Sequence, residues 1–185
     1  MRAIRRRLAI GALVMMVAAA QSATKPAEFW ATPAIQGYGK MHDLPDAAYK
    51  PQPDQSYQIV FALTQPAKSP TAINTALDHV ARAVNLYAAA GVPLNHLKFV
   101  AIVYGEATSL VLNEGQYRAA YGVTNPNLPL VQQLRKVGVD VAVCGQAIAE
   151  HGFEYDWVDE SVTLALSALT TITTLEHQGY HLVQM

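Results

Sequence analysis

A three-layer α/β fold, with a mostly parallel sheet of about five strands flanked by helices, is what the sequence predicts for residues 56–185. Three observations predict it. Near-continuous apolar runs, the kind that are covered on both faces, recur at 57–63, 97–104 and 139–143. Segments with apolar residues at helical spacing lie between them. Glycine and proline punctuate the boundaries of both. At 185 residues, 51% hydrophobic and 15% charged, the chain can build one well-packed domain, and extensive disorder is excluded.

Residues 57–63 (YQIVFAL) read as a buried strand, and Pro66 to Pro70 as a turn. Thr71 is placed to cap a helix reaching about residue 90, with Ile73, Leu77, Val80, Ala81, Val84 and Ala88 on one stripe. Gly91 and Pro93 end it. Residues 97–104 (LKFVAIVY) form the second strand, and 107–112 and 116–120 short helices. Asn125-Pro126-Asn127 is a turn, 128–137 a helix ended at Gly138, and 139–143 the third strand. A short helix begins at Gln146 and stops at Gly152. The acids of 153–160 favour a loop there over a short strand. The last helix is predicted over 162–178, with Ala165, Leu166, Leu169, Ile172 and Leu175 facing inward, and 180–183 is a terminal strand. Strands alternating with helices in this way pair in parallel through right-handed crossovers.

The chain begins with a targeting pattern. Arg2, Arg5, Arg6 and Arg7 form a basic region, ten apolar residues follow at 8–17, and Ala18, Ala19 and Ala20 are small. This predicts a signal peptide over 1–20, cut after Ala20 or after Ala23, and a periplasmic or secreted protein. The apolar run is too short for a membrane span, so no stable span is expected once the leader is removed. Its loss takes four basic residues and no acids, moving the net charge from −1 to −5. That disfavours nucleic acid as a partner. Residues 21–55 are rich in proline and carry Phe29, Trp30, Tyr38 and Tyr49, which suggests an arm packed along the domain or a partner subunit, with a floppy leader as the alternative.

The chemistry centres on one residue. Cys144 is the lone cysteine, which excludes a disulfide framework and a multi-cysteine metal site within one chain. It sits at the carboxyl end of the third strand, where open α/β sheets gather ligands. A helix beginning at about Gln146 aims its partial positive end at the sulfur and favours thiolate. Gly145 leaves room for close approach of another backbone. Tyr104, Gly105 and Glu106 close the second strand at the same edge, with Glu106 also suited to the first turn of the following helix. Asn125 and Asn127 are candidates for the same rim, or for turn and cap roles. Burial as a small hydrophobe is the competing reading of the cysteine.

His177 and His181 have metal-ligand spacing, but Gly179 between them breaks the helix, and no metal is expected. The chain has no CxxCH, no phosphate loop, no GxGxxG after the first strand and no G-x-S-x-G. No cofactor is expected.

Several blocks in order carry a resemblance. They are VFAL at 60–63, ARAVNLYAAAGVP at 81–93, LKFVAIVYGEAT at 97–108, NPNLPLVQQLRKVGVDVAVCGQAIAEHGF at 125–153 and ALSALTTITTLEHQGYHLV at 165–183. Through them the chain resembles the DsrE/DsrF-like family, in particular its exported branch, with a weaker match near Gly37-Tyr38-Gly39. The resemblance implies a flavodoxin-like or related parallel fold and a homo-oligomer, trimer or hexamer. In cytoplasmic members a cysteine at the Cys144 position passes persulfide sulfur between proteins, so a sulfur donor or acceptor protein is an implied partner. Cys144 would then be the persulfide-carrying nucleophile, with Tyr104 and Gln146 shaping its pocket, in a carrier rather than a turnover enzyme. His151-Gly152 stands where those carriers have Arg-Gly, and Tyr104-Gly105 where they have His-Gly. The rival functions are a non-catalytic oligomeric module binding a small ligand or protein, and a thiol redox partner.

Overall fold

Residues 29–185 are described by the computed structural model, and their apolar runs pair side by side into one sheet. The strands are β1 (Tyr57–Leu63), β2 (Leu97–Val103), β3 (Asp140–Cys144), β4 (Thr163–Ala165) and β5 (His181–Gln184). Their order is β4-β3-β2-β1-β5, and every pair is parallel. The helices are α1 (Thr75–Ala89), α2 (Glu114–Tyr121), α3 (Leu128–Lys136), α4 (Gly145–Glu150) and α5 (Ala168–His177). The result is the predicted three-layer α/β fold.

The period-two alternation of the central strands divides the core in two. Phe61, Leu63, Phe99, Ala101, Val103, Val141 and Val143 face the layer of α1 and α3, against Leu77, Val80, Val84, Leu130 and Leu134. Val60, Val100, Ile102, Ala142 and Cys144 face the other way, towards Ala168, Ile172 and Leu175 of α5. The cysteine therefore lies on the face that α5 covers.

Residues 29–55 include a segment tied to the first layer. Ala31 and Met41 form an antiparallel bridge, and Ile35 is fully buried. Asn85 of α1, itself fully buried, accepts from the N–H groups of Ala34 and Ile35 and donates to the carbonyls of Tyr38 and Gly39. Gly39 lies so close to α1 that a Cβ there would collide with the Arg82 amide nitrogen. The predicted leader, 1–20, and residues 21–28 of the predicted arm lie outside the described residues. Among the described residues no helix is long and apolar enough to cross a membrane.

Several boundaries differ from expectation. α1 is capped by Asn74, not Thr71, because Asn74 Oδ1 accepts from Ala76 and Leu77 while its Nδ2 donates to Gln65 O. Residues Gly105–Val111 form a 3-10 helix. The 153–160 stretch holds a 3-10 turn, Tyr155–Trp157, and a single bridge from Val158 to Leu112. The largest correction concerns 162–178, which is not one helix. Thr163–Ala165 pairs with β3, Ser167 then caps α5 by accepting from Leu169 N–H, and only the remainder is helical. In consequence Leu166 and Leu169 do not face inward; they are 73% and 80% exposed.

Candidate functional site

The register of the sheet builds the site. Val103 of β2 pairs with Val143 of β3, so one residue further along each strand Tyr104 comes level with Cys144. Cys144 in turn pairs with Ala165 of β4. All these strands run parallel, so their carboxyl ends meet at one edge, as the rule for open α/β sheets requires. There a cavity of about 240 Å³, partly open to solvent, is lined by Tyr104, Gly105, Cys144, Ala147, Glu150, Ser167, Ala168, Leu169 and Ile172.

Cys144 is 5% exposed and forms part of this wall. It is also the N-cap of α4, and its Sγ accepts from the Ala147 N–H at 3.4 Å. The chain thus turns from strand to helix at the sulfur, and one otherwise unpaired amide of the first turn points at it. Gly145 permits the turn for a second reason. A Cβ at that position would lie 2.9 Å from the Ala165 carbonyl oxygen and 3.4 Å from that of Leu166, so β4 approaches β3 this closely only over a glycine. Gln146 is exposed and does not line the cavity, but its Nε2 donates to Leu166 O, holding the β4–α5 connection against α4.

Tyr104 and Gly105 line the cavity; Glu106 is exposed in the first turn of the 3-10 helix and does not. The Gly105 carbonyl accepts from Thr108 Oγ1 at 2.7 Å and from His151 Nε2 at 2.9 Å, which joins the end of α4 to the turn that carries Tyr104. Asn125 and Asn127 lie away from the cavity. Asn125 Nδ2 donates to the carbonyls of Leu110 and Leu112, and its Oδ1 accepts from Asn127. Asn127 Oδ1 accepts from the Asn74 N–H. Both asparagines are buried and their bonds run to the scaffold, fastening the start of α1 to the start of α3. Glu114 accepts from the Asn125 N–H at the edge of this network; its bonds from Arg118 and Asn125 hold its carboxyl below the usual range.

Sequence reasoning misses Ala147, Glu150, Ser167, Ala168, Leu169 and Ile172 as cavity residues. Four of them belong to the segment that reads as a single helix, where Ser167 is hidden as an interior residue. No local signal separates strand from helix there, because a strand of three residues, Thr163–Ala165, is too short for an alternation to stand out against the leucine spacing.

The profile of the DsrE/DsrF-like family matches residues 58–185, which covers β1 from its second residue, the other four strands and every cavity residue. The structure is similar to that of a protein of unknown function from Methanobacterium thermoautotrophicum, with a TM-score of 0.52 and 18% identity over 70% of this chain and 100% of that one. At that identity the likeness shows the fold. No curated protein matches the chain.

Proposed function

Because the chain belongs to the DsrE/DsrF-like family, we propose that it handles sulfur as an exported protein, carrying it as a persulfide on Cys144 rather than turning over a substrate. One observation carries this reading: Cys144, although only 5% exposed, is part of the wall of a cavity that reaches solvent. A cysteine buried for packing alone has no such space in front of it. An added sulfur extends about 2 Å beyond Sγ, and a cavity of about 240 Å³ has room for it. The Ala147 amide faces the negative charge that the Cys144 thiolate would carry.

The transfer is an exchange at constant oxidation level. Cys144 sulfur attacks the outer sulfur of a donor R–S–SH, the donor S–S bond breaks, and R–S⁻ leaves and takes the proton that Cys144 loses. The products are R–SH and Cys144–S–SH, and delivery to an acceptor thiol is the same step in reverse. Incubation of the reduced chain with a sulfane-sulfur donor should add about 32 Da, one sulfur atom, to the intact mass. The Cys144→Ser variant should gain nothing. A wild-type mass that stays unchanged with every donor overturns the proposal and favours a binding module at the same edge.

We also propose that the chain forms a homo-oligomer. Tyr155, Leu164 and Leu166 line a shallow groove at the β4 edge, and Leu169 stands beside it on the cavity rim, all of them exposed. Such a cluster is characteristic of an interaction surface. Light scattering should report a multiple of the chain mass. Leu166→Glu, which touches no cavity residue's role, should shift the chain towards monomer; a wild-type monomer at all concentrations contradicts the proposal.

A further inference from the structure

We infer that the Cys144 cavity selects sulfur donors by charge, taking a small organic persulfide with a positively charged amine tail and rejecting anionic sulfur compounds such as thiosulfate. The inference rests on the carrier reading of Cys144 and adds the chemical class of its substrate. It starts from the composition of the wall. Tyr104, Ala147, Ala168, Leu169 and Ile172 make it mainly apolar. Among the described residues its one charged member is Glu150, and no lysine or arginine lines it.

That carboxylate is uncommitted: among the described residues Glu150 has no side-chain hydrogen bond or ion pair. The neighbouring imidazole, His151, is not part of the lining and is bonded to the Gly105 carbonyl. Glu106, the residue after Gly105, is exposed and outside the lining. An anion entering this space leaves water for an apolar wall, gains no cation and meets a like charge. An ammonium group gains the Glu150 carboxylate and an aromatic neighbour, Tyr104, of the kind that attracts cations.

A further polar group completes the set. Ser167 is 9% exposed and lines the cavity. Its Oγ accepts from Leu169 N–H, but its own hydroxyl proton has no acceptor among the described residues. It is free to donate to a sulfur or oxygen of a bound molecule. The volume bounds the ligand. At about 240 Å³ the cavity is smaller than the roughly 300–1,000 Å³ of drug-sized sites, so the tail is short.

With a disulfide probe R–S–S–R the balanced step is Cys144–SH + R–S–S–R → Cys144–S–S–R + R–SH. The purified reduced chain is treated with cystamine, 2-hydroxyethyl disulfide and dithiodiglycolate, which are cationic, neutral and anionic. Rates are divided by those of a free cysteine peptide to remove intrinsic reactivity. Cystamine should exceed dithiodiglycolate by about tenfold or more on that scale. Glu150→Gln should lose most of the preference and Glu150→Lys reverse it; Glu150 is exposed, so neither variant disturbs packing. Equal corrected rates for the three probes overturn the inference and leave the carrier reading standing. A thiol that no probe modifies in the folded chain, yet all modify after denaturation, overturns both.

Discussion

Replacing Asn85 by alanine is expected to remove about 3–5 kcal/mol of stability while leaving the chemistry of Cys144 unchanged. The side chain is fully buried and uses all four of its hydrogen-bonding positions on residues 34–39. Alanine leaves two N–H groups and two carbonyls without partners, each costing about 1–3 kcal/mol where water does not reach it. Ile35, packed in the core beneath them, loses its anchor. The α1 layer lies on the sheet face opposite the cysteine, so thiol alkylation rates in the folded variant should match the wild type. The measurement is urea unfolding, read as a lower midpoint at unchanged slope. A loss below about 1 kcal/mol shows that these residues contribute little to the fold. Asn85→Asp is a sharper probe. It keeps the acceptor for Ala34 and Ile35 but, when ionised, sets an oxygen against the carbonyls of Tyr38 and Gly39. The folded state then favours the protonated acid and raises its pKa, so this variant should be most stable at low pH and lose stability as pH rises through the carboxylate range.

Asn85 also shows where sequence reading stops. Its position in the helix gives no hint of partners some fifty residues away. By contrast β1 has the limits its sequence predicts, since a run such as YQIVFAL between polar turns leaves little choice. The cap of α1 is ambiguous in sequence because Thr71 and Asn74 are both good caps, and what decides between them is a bond from the Asn74 N–H to Asn127, a tertiary partner. At the far end of the chain, leucines at 166, 169 and 175 satisfy helical spacing, and a three-residue strand is too short to impose its own period. Treating every leucine as inward then puts Leu166 and Leu169 in the core, although apolar residues occupy surfaces as well. The site divides along the same line. Cys144 and Tyr104 are readable as strand-end residues, because parallel strands deliver their carboxyl ends to one edge. Glu150, Ser167 and Ile172 reach the cavity from helices laid over that edge, and nothing local marks them.

The dependence of the site on that packing makes Gly145→Ala the most informative single change near the thiol. Its effect should be a loss of about 1–3 kcal/mol together with an altered rate of Cys144 alkylation. Gly145 begins α4 in a backbone conformation open to any residue, so alanine brings no torsional penalty; on propensity alone it should stabilise the helix by about 0.5–1 kcal/mol. The opposing effect is contact. The new Cβ would lie 2.9 Å from the Ala165 carbonyl oxygen, a backbone atom that cannot swing aside. Either β4 moves outward or α4 does. β4 is the easier to move, since it is an edge strand of three residues held by β3, Thr163 Oγ1 donating to Asp140, and Gln146 donating to Leu166 O. Ser167, Ala168 and Leu169 follow β4 directly, so its displacement shifts one wall of the cavity away from the sulfur. Gly122→Ala provides the comparison. A Cβ at Gly122 would meet nothing within 4 Å, but the residue has a φ of +74°, so its cost, about 1 kcal/mol, is torsional and its thiol kinetics should be those of the wild type. If Gly145→Ala is as stable as the wild type and its thiol reacts at the same rate, the close approach of β4 does not set the shape of the site.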